Sequence, residues 1–308
     1  MPDKNLAVII LTYNEEIHIE RAIHSVQSIA SEVFVIDSGS NDKTVEIAQK
    51  NGAQVFYNPF INQAKQFQWA LDHAPITADW TMRLDADEII EVDLQQEIQE
   101  KLPHLPNHIV VINLKRKHIF MDRWVKHGGR YPVVLLRMWR TGAGRVEDRW
   151  MDEHMVVSGG ETITFHGGFS DHNLNDLSFF TDKHNKYATR EAIDVLNQKL
   201  NLFPRDQALT TDTASLQASL KRIAKEKIYN RLPFTFAALA YFLYRYILQL
   251  GFLDGRSGLI YHFLQGYWYR FLVGTKIMEL EKAIGGISDK QEILKEISRL
   301  TGHKLIDQ

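Results

Sequence analysis

The sequence predicts an α/β protein, a mostly parallel sheet with helices on both faces, followed by a helical C-terminal region. Three observations carry this. Apolar runs of strand length alternate with helical patterns through the first 90 residues; three of those runs end in polar clusters; and from about residue 175 the pattern is helical to the end. Strands alternating with helices of this length imply right-handed βαβ units and a parallel sheet covered on both faces.

The elements follow in order. LAVIILTY (6–13) is a continuous apolar run, read as a buried strand. Ile19, Ala22, Ile23 and Val26 recur at the spacing of one helix face. EVFVIDSGS (32–40) is a second strand ending in small polar residues, and NDKTVEIAQKNG follows as a helix with Asn41 or Asp42 as N-cap and Gly52 at its end. AQVFYNP is a third strand, INQAKQFQWALDHA a third helix, and DWTMRL a fourth strand that delivers Asp85-Ala86-Asp87-Glu88. Between about 108 and 170, short strand-like runs with Gly-rich breaks (HIVVINLKRK, YPVVLLRMW, HMVVSGG, TITFHGG) predict an antiparallel extension of the sheet with active-site loops. The later helical region has a break near LFPRDQ.

Composition narrows the class. With 308 residues and 44% hydrophobic content the chain buries a sizeable core, and a formal charge of −2 argues against a generally basic nucleic-acid binder. The absence of cysteine excludes disulfides, thiolate chemistry and Cys-ligated zinc, and fits a reducing compartment. The first apolar run meets Asn14-Glu15-Glu16 too soon for a secretory h-region, so a cytoplasmic location is expected.

In open α/β sheets ligands collect beyond the carboxyl ends of the strands. Those ends carry Thr12-Tyr13-Asn14-Glu15, Asp37-Ser38-Gly39-Ser40 and Asp85-Ala86-Asp87, so three polar clusters are expected on one rim. Three carboxylates within 85–88 repel one another and call for a cation. A hard divalent ion takes one or two carboxylates plus substrate phosphates, whereas the plain alternative is an acidic first turn. Asp37 offers an acceptor to a nucleobase N–H, Gly39 allows close backbone approach, and Tyr13 offers a stacking face; each also suits an ordinary strand end or turn.

Taken together, ILTYNEE, VFVIDSGSNDKT and DWTMRLDADE, in this order and spacing, resemble the family 2 glycosyltransferases of the GT-A fold, over roughly the first 180 residues. The resemblance implies a Rossmann-like sheet and an inverting transferase using a nucleotide-diphosphate sugar, usually a UDP-sugar, with Mn²⁺ or Mg²⁺. By position it implies that Tyr13 and Asp37 hold the base and that Thr12 and Glu15 line the nucleoside pocket. Asn14, Ser38, Gly39 and Ala86 complete that set, with Asp85 near the ribose and donor sugar. Asp87 would ligate the metal, and Lys65 would face the nucleotide or stay a surface lysine. His172 would complete the metal or diphosphate site, or be structural; His166 is a weaker candidate. For the general base the resemblance points to Glu153, then Asp152, then Asp148, although His154 follows the acid here where relatives place it before.

The implied division is a catalytic domain over 1–175, with a nucleotide-sugar half to about 100 and an acceptor half beyond, and a helical region over 176–308. In the latter, Lys221, Arg222, Lys225, Lys227 and Arg231 precede about twenty mostly apolar residues from Phe234. That length suits a bilayer, but Arg245 lies in its middle, so packed or membrane-interfacial helices are expected. YRYILQLGFLDGRSGLIYHFLQGYWYRF resembles the tail of bacterial membrane-associated relatives that build lipopolysaccharide core or other surface glycans. The expectation is transfer to a lipid-linked or polysaccharide acceptor on the cytosolic face of the inner membrane, with peripheral membrane contact, no nucleic acid, and a homo-oligomer as one option. Its rivals are a sugar-1-phosphate nucleotidyltransferase, which should open with a Gly- and Arg-rich phosphate loop, and a non-catalytic nucleotide-sugar-binding protein.

Overall fold

The computed structural model describes residues 5–147, 154–203 and 233–305. They divide into two compact units at Leu174/Asn175.

The first strand shows why the N-terminal unit folds as it does. In β1 (Leu6–Thr12), Leu6, Val8 and Ile10 enter one buried cluster with Ile19, Ala22, Ile23 and Val26 of α1 (Ile19–Val26). Ala7 and Ile9 enter a second cluster on the opposite face, with Phe34, Ile36, Phe67, Ala70 and Trp139. A strand apolar on both faces reads as a run rather than an alternation because helices cover it on both sides. The unit continues with β2 (Glu32–Asp37), α2 (Thr44–Lys50), β3 (Gln54–Tyr57), α3 (Gln63–His73), β4 (Trp80–Asp85), β5 (Glu88–Ile90) and α4 (Val92–Lys101). Beyond these lie β6 (Ile109–Phe120), β7 (Arg123–Trp124), β8 (Val133–Arg140), β9 (Gly144–Glu147), β10 (His154–Val157) and β11 (Glu161–His172).

The main sheet runs β3-β2-β1-β4-β8-β6-β11-β5, with β7 on β6, while β9 and β10 form a separate ribbon. The first four strands are parallel, as the βαβ pattern predicts. The expected antiparallel extension is only part of the arrangement. β8 runs against both β4 and β6, but β11 lies parallel to β6, with a bulge between Thr164 and Gly168. Gly-broken runs read locally as hairpins, yet β6 and β11 are joined across four intervening strands, so their pairing is non-local. A second departure concerns α2. Asp42 does not cap it: its Oδ1 accepts from the Thr44 N–H at 2.9 Å in a turn ahead of the helix, which starts after Lys43.

The C-terminal unit is helical. α5 (Leu177–Leu200) is capped by Asp176, which accepts from the Phe179 N–H, and ends on Asn201 at φ 50°. α6 (Phe234–Leu243) continues as a π-helical turn over Tyr244–Leu248. After a tight turn at Gly251–Asp254 come α7 (Gly255–His262), a π-helical stretch Phe263–Trp268, α8 (Tyr269–Ile284) and α9 (Lys290–Thr301). α5 and α8 are joined by Arg270 and Tyr269, which donate to Glu191 at 2.8 and 2.6 Å. No single described helix is long and apolar enough to cross a membrane.

Candidate active site

Strand register alone gathers the polar ends. Thr12 pairs with Asp37, Asp37 with Tyr57, and Leu11 with Asp85, so four neighbouring strands present their carboxyl ends along one edge.

Asp37 is 3% exposed and already has work. Its Oδ1 accepts from the Thr12 hydroxyl at 3.0 Å and the Ser40 hydroxyl at 2.5 Å, and its Oδ2 from the Gly39 and Ser40 N–H groups, both at 2.8 Å. Four acceptances fill a carboxylate. Asp37 therefore shapes the loop first, and any base N–H must displace one of these partners. Gly39 follows at φ 97°, which a side chain rarely tolerates. Asn14 sits at φ 55° and interlocks the two loops: its N–H donates to Ser40 Oγ at 2.8 Å and its Oδ1 accepts from the Asn41 N–H at 2.9 Å. The Glu15 N–H donates to Thr44 Oγ1 at 2.7 Å. Ser38 Oγ accepts from Gln66, a buried α3 residue that also donates to the Asn58 carbonyl. Tyr13 and Tyr57 stand outward, 59% and 66% exposed. Lys65 is exposed on the first turn of α3.

The acidic cluster splits at the turn between β4 and β5. Asp85 ends β4 and Glu88 opens β5, and both face Arg137 of β8, which is 6% exposed. Arg137 donates to Glu88 Oε1 at 2.5 Å and to Asp85 Oδ2 at 3.3 Å, and Arg83 Nε to Asp85 Oδ1 at 3.2 Å. Burial by itself would raise Asp85, but Arg83 and Arg137 hold it well below the usual carboxylate range. Burial pushes the Glu88 carboxyl up to about 8, Arg137 pulling against it and Asp85 adding to it. Ala86 is buried between them.

Asp87 turns the other way. It is half-buried, and its Oδ2 accepts from the Asn173 amide at 2.9 Å. Arg21 of α1 lies in its field: burial lowers the Arg21 pKa, and Asp87 and Glu15 raise it again. The chain thus places three arginines, Arg21, Arg83 and Arg137, around these three acidic side chains. His172 meets Asp87 through the main chain, its N–H donating to the Asp87 carbonyl at 2.9 Å, while its Nε2 lies 3.1 Å from Asp122 on the β6–β7 turn. The His166 N–H donates to Glu97. Among the described residues no three His, Asp or Glu side chains gather as a metal cage. The donor set fits a divalent ion held by the hard oxygens of Asp87 and completed by a bound diphosphate.

His18 closes the arrangement. Its Nε2 accepts from the Leu174 N–H at 2.9 Å, so the proton sits on Nδ1, 2.5 Å from Glu15 Oε2. Glu153, Asp152 and Asp148 lie outside the described residues. Sequence reasoning passed over Arg21, Gln66, Arg137, Asn173 and His18. One signal existed for Arg137: a single cation inside VVLLRMW, where a buried charge requires partners.

The model of the family described as glycosyl transferase family 2 matches residues 7–170, more than half of the 308. The chain belongs to this family. An uncharacterized glycosyltransferase of Rickettsia bellii is 44% identical over 96 residues, 31% of this chain and 32% of that protein. One from Rickettsia typhi is 41% identical over 96 residues, with the same shares. The chain's match thus spans about a third of these relatives' length. Among solved structures, glucosyl-3-phosphoglycerate synthase from Mycobacterium tuberculosis with Mn²⁺, UDP and glucosyl-3-phosphoglycerate is 22% identical. That match covers 38% of this chain and 44% of the synthase, at a TM-score of 0.31. The expectation of a family 2 member with an α/β fold and a helical C-terminal region holds.

Proposed function

We propose that this family 2 member transfers a sugar, with inversion, from a nucleotide-diphosphate sugar, foremost a UDP-hexose, to a lipid-linked or lipopolysaccharide-type acceptor on the cytosolic membrane face. The observation that carries the reading is the single rim on which Thr12, Asp37 and Asp85 end adjacent strands, inside the residues the family model matches. A rival nucleotidyltransferase would need a Gly- and Arg-rich loop after β1, where this chain has Tyr13-Asn14-Glu15.

In this reading the exposed Tyr13 and Tyr57 faces flank the base, and the interlocked loops at Asn14 and Ser40 fix the backbone that the nucleotide meets. Asp85, kept ionised by two arginines, accepts hydroxyls of the ribose or donor sugar. Asp87 would hold a divalent metal, which would supply positive charge at the diphosphate leaving group. Arg21 and Asn173 fix the Asp87 side. The acceptor hydroxyl loses its proton to a carboxylate base, for which Glu153 stands first, and attacks the anomeric carbon from the face opposite the leaving group.

A thermal-shift screen of nucleotide sugars with and without Mn²⁺, followed by transfer from the stabilising donor, tests this, since a ligand that binds the folded state raises its stability. UDP-sugars should stabilise the chain more with metal present. A donor bound but neither hydrolysed nor transferred would leave the non-catalytic binder standing. Glu153→Gln should bind donor normally while transfer collapses; a normal rate moves the base to Asp152 or Asp148.

A further inference from the structure

We propose that the bent helical hairpin around Leu248 is a wedge that enters one leaflet of an anionic bilayer and turns back without crossing it. This deepens the membrane location proposed above and needs nothing from the donor chemistry.

The surface of this segment is inverted relative to a helix pair folded for water. From Pro233 to Phe263 every exposed residue is apolar or tyrosine except Arg256. Leu248 is 74% exposed, Phe236 64%, Ile247 51% and Leu253 50%. The remaining ionisable groups of the stretch point inward: Arg245 is 5% exposed, Asp254 3% and His262 0%. Burying such groups is costly unless they are partnered, so the fold has gathered them deliberately. The Arg245 guanidinium lies over the Tyr241 and Tyr261 rings at 5.6 and 5.8 Å. A Cβ on Gly251 would stand 2.7 Å from the His262 ring and 2.9 Å from the Arg245 carbonyl, so the absent side chain lets these groups close together. Isolated exposed apolar residues are ordinary, but a continuous face of them marks a partner.

Length and charge identify that partner. The 15 residues from Phe234 to Leu248 rise about 22 Å, short of the ~30 Å hydrocarbon core. The chain then bends by 73° into the helices from Gly251 onward. With the bend lowermost, both arms of this V lie oblique to the leaflet, and neither runs straight across it. In the sequence before it, Lys221, Arg222, Lys225, Lys227 and Arg231 stand against Glu226 alone, a charge of the sign that anionic headgroups attract. A protein interface carries roughly one hydrogen bond per 100–200 Å², and the exposed side chains here offer little beyond Arg256 and Tyr244 to supply them.

The experiment uses the full chain and vesicles of phosphatidylcholine, alone or with phosphatidylglycerol, in a flotation gradient. The protein should float with the anionic vesicles. Leu248→Glu with Phe252→Glu, two exposed positions, should lower the floating fraction at least tenfold without changing the melting temperature. Because the chain has no cysteine, Leu248→Cys gives a unique label. Brominated acyl chains should quench a fluorophore there and spare one at Val92→Cys, which is 65% exposed in the other unit. Absence of flotation, flotation untouched by the double substitution, or a label at 248 that bromine does not reach would each overturn the wedge. Lipid-free dimers dissolved by the double substitution, with no flotation of the parent, would assign the face to a second copy of the chain.

Discussion

Asp37 ends β2 and Asp87 lies in the turn after β4, on the same edge of the sheet with β1 between them, yet the fold surrounds them in opposite ways. Asp37 is 3% exposed and accepts four hydrogen bonds from its own loop and β1. Asp87 is half-buried, accepts from Asn173, and has Arg21 nearby. One carboxylate is filled by donors of its own loop and of β1, while the other meets an amide and an arginine from distant segments. A strand-end aspartate is thus not a ligand by position alone; what decides is how many donors its own loop has already given it.

The contrast is sharpest in the Asp87→Ala variant. If Asp87 serves the diphosphate, turnover should fall about 10³-fold, the scale of losing one oriented electrostatic group, while the melting temperature stays put. Retained metal-dependent turnover would remove Asp87 from the site. Arg137→Met should act through stability instead, leaving Glu88 without its cation and Asp85 with Arg83 alone, at a cost of about 3–5 kcal/mol, read by denaturant unfolding. Asp37→Ala strips four donors of their acceptor and should cost about 3 kcal/mol, so activity and stability fall together. A drop in activity with unchanged stability would make Asp37 a binding residue first.

The smallest effect is one of pH. A carboxyl raised from 4.5 to about 8 in the folded state favours folding below its unfolded pKa, and that contribution is lost as pH climbs through 8. Thermal stability should therefore decline between pH 5 and pH 8, and Glu88→Gln should flatten the decline. An unchanged slope would place the titration elsewhere. Asp85, held down by Arg83 and Arg137, contributes in the opposite sense, stabilising above the usual carboxylate range and fading only in strong acid.

Much of the frame was legible because burial on both faces writes itself as uninterrupted apolar runs: LAVIILTY and DWTMRL fall within a residue of β1 and β4, while EVFVIDSGS overran β2 by the three small polar residues that form the loop after Asp37. The rim follows, since parallel strands of similar length end together. What stayed hidden depends on contacts between distant residues. Arg137 answers Glu88 from 49 positions away, and β11 joins β6 in parallel across a long excursion. The sequence shows the carboxylates at 85–88 but not the three arginines that α1, β4 and β8 bring to them.

The imidazole of His18 has a practical corollary. It receives the N–H of Leu174, the last residue of the N-terminal unit, and gives its own proton toward Glu15 in the first loop. The two extremities of that unit are therefore fastened at one ring. A shortened version cut before residue 174 would leave the ring holding nothing on one side and loosen the opening loop, so a stand-alone N-terminal unit has to carry Leu174 to keep its first loop in shape.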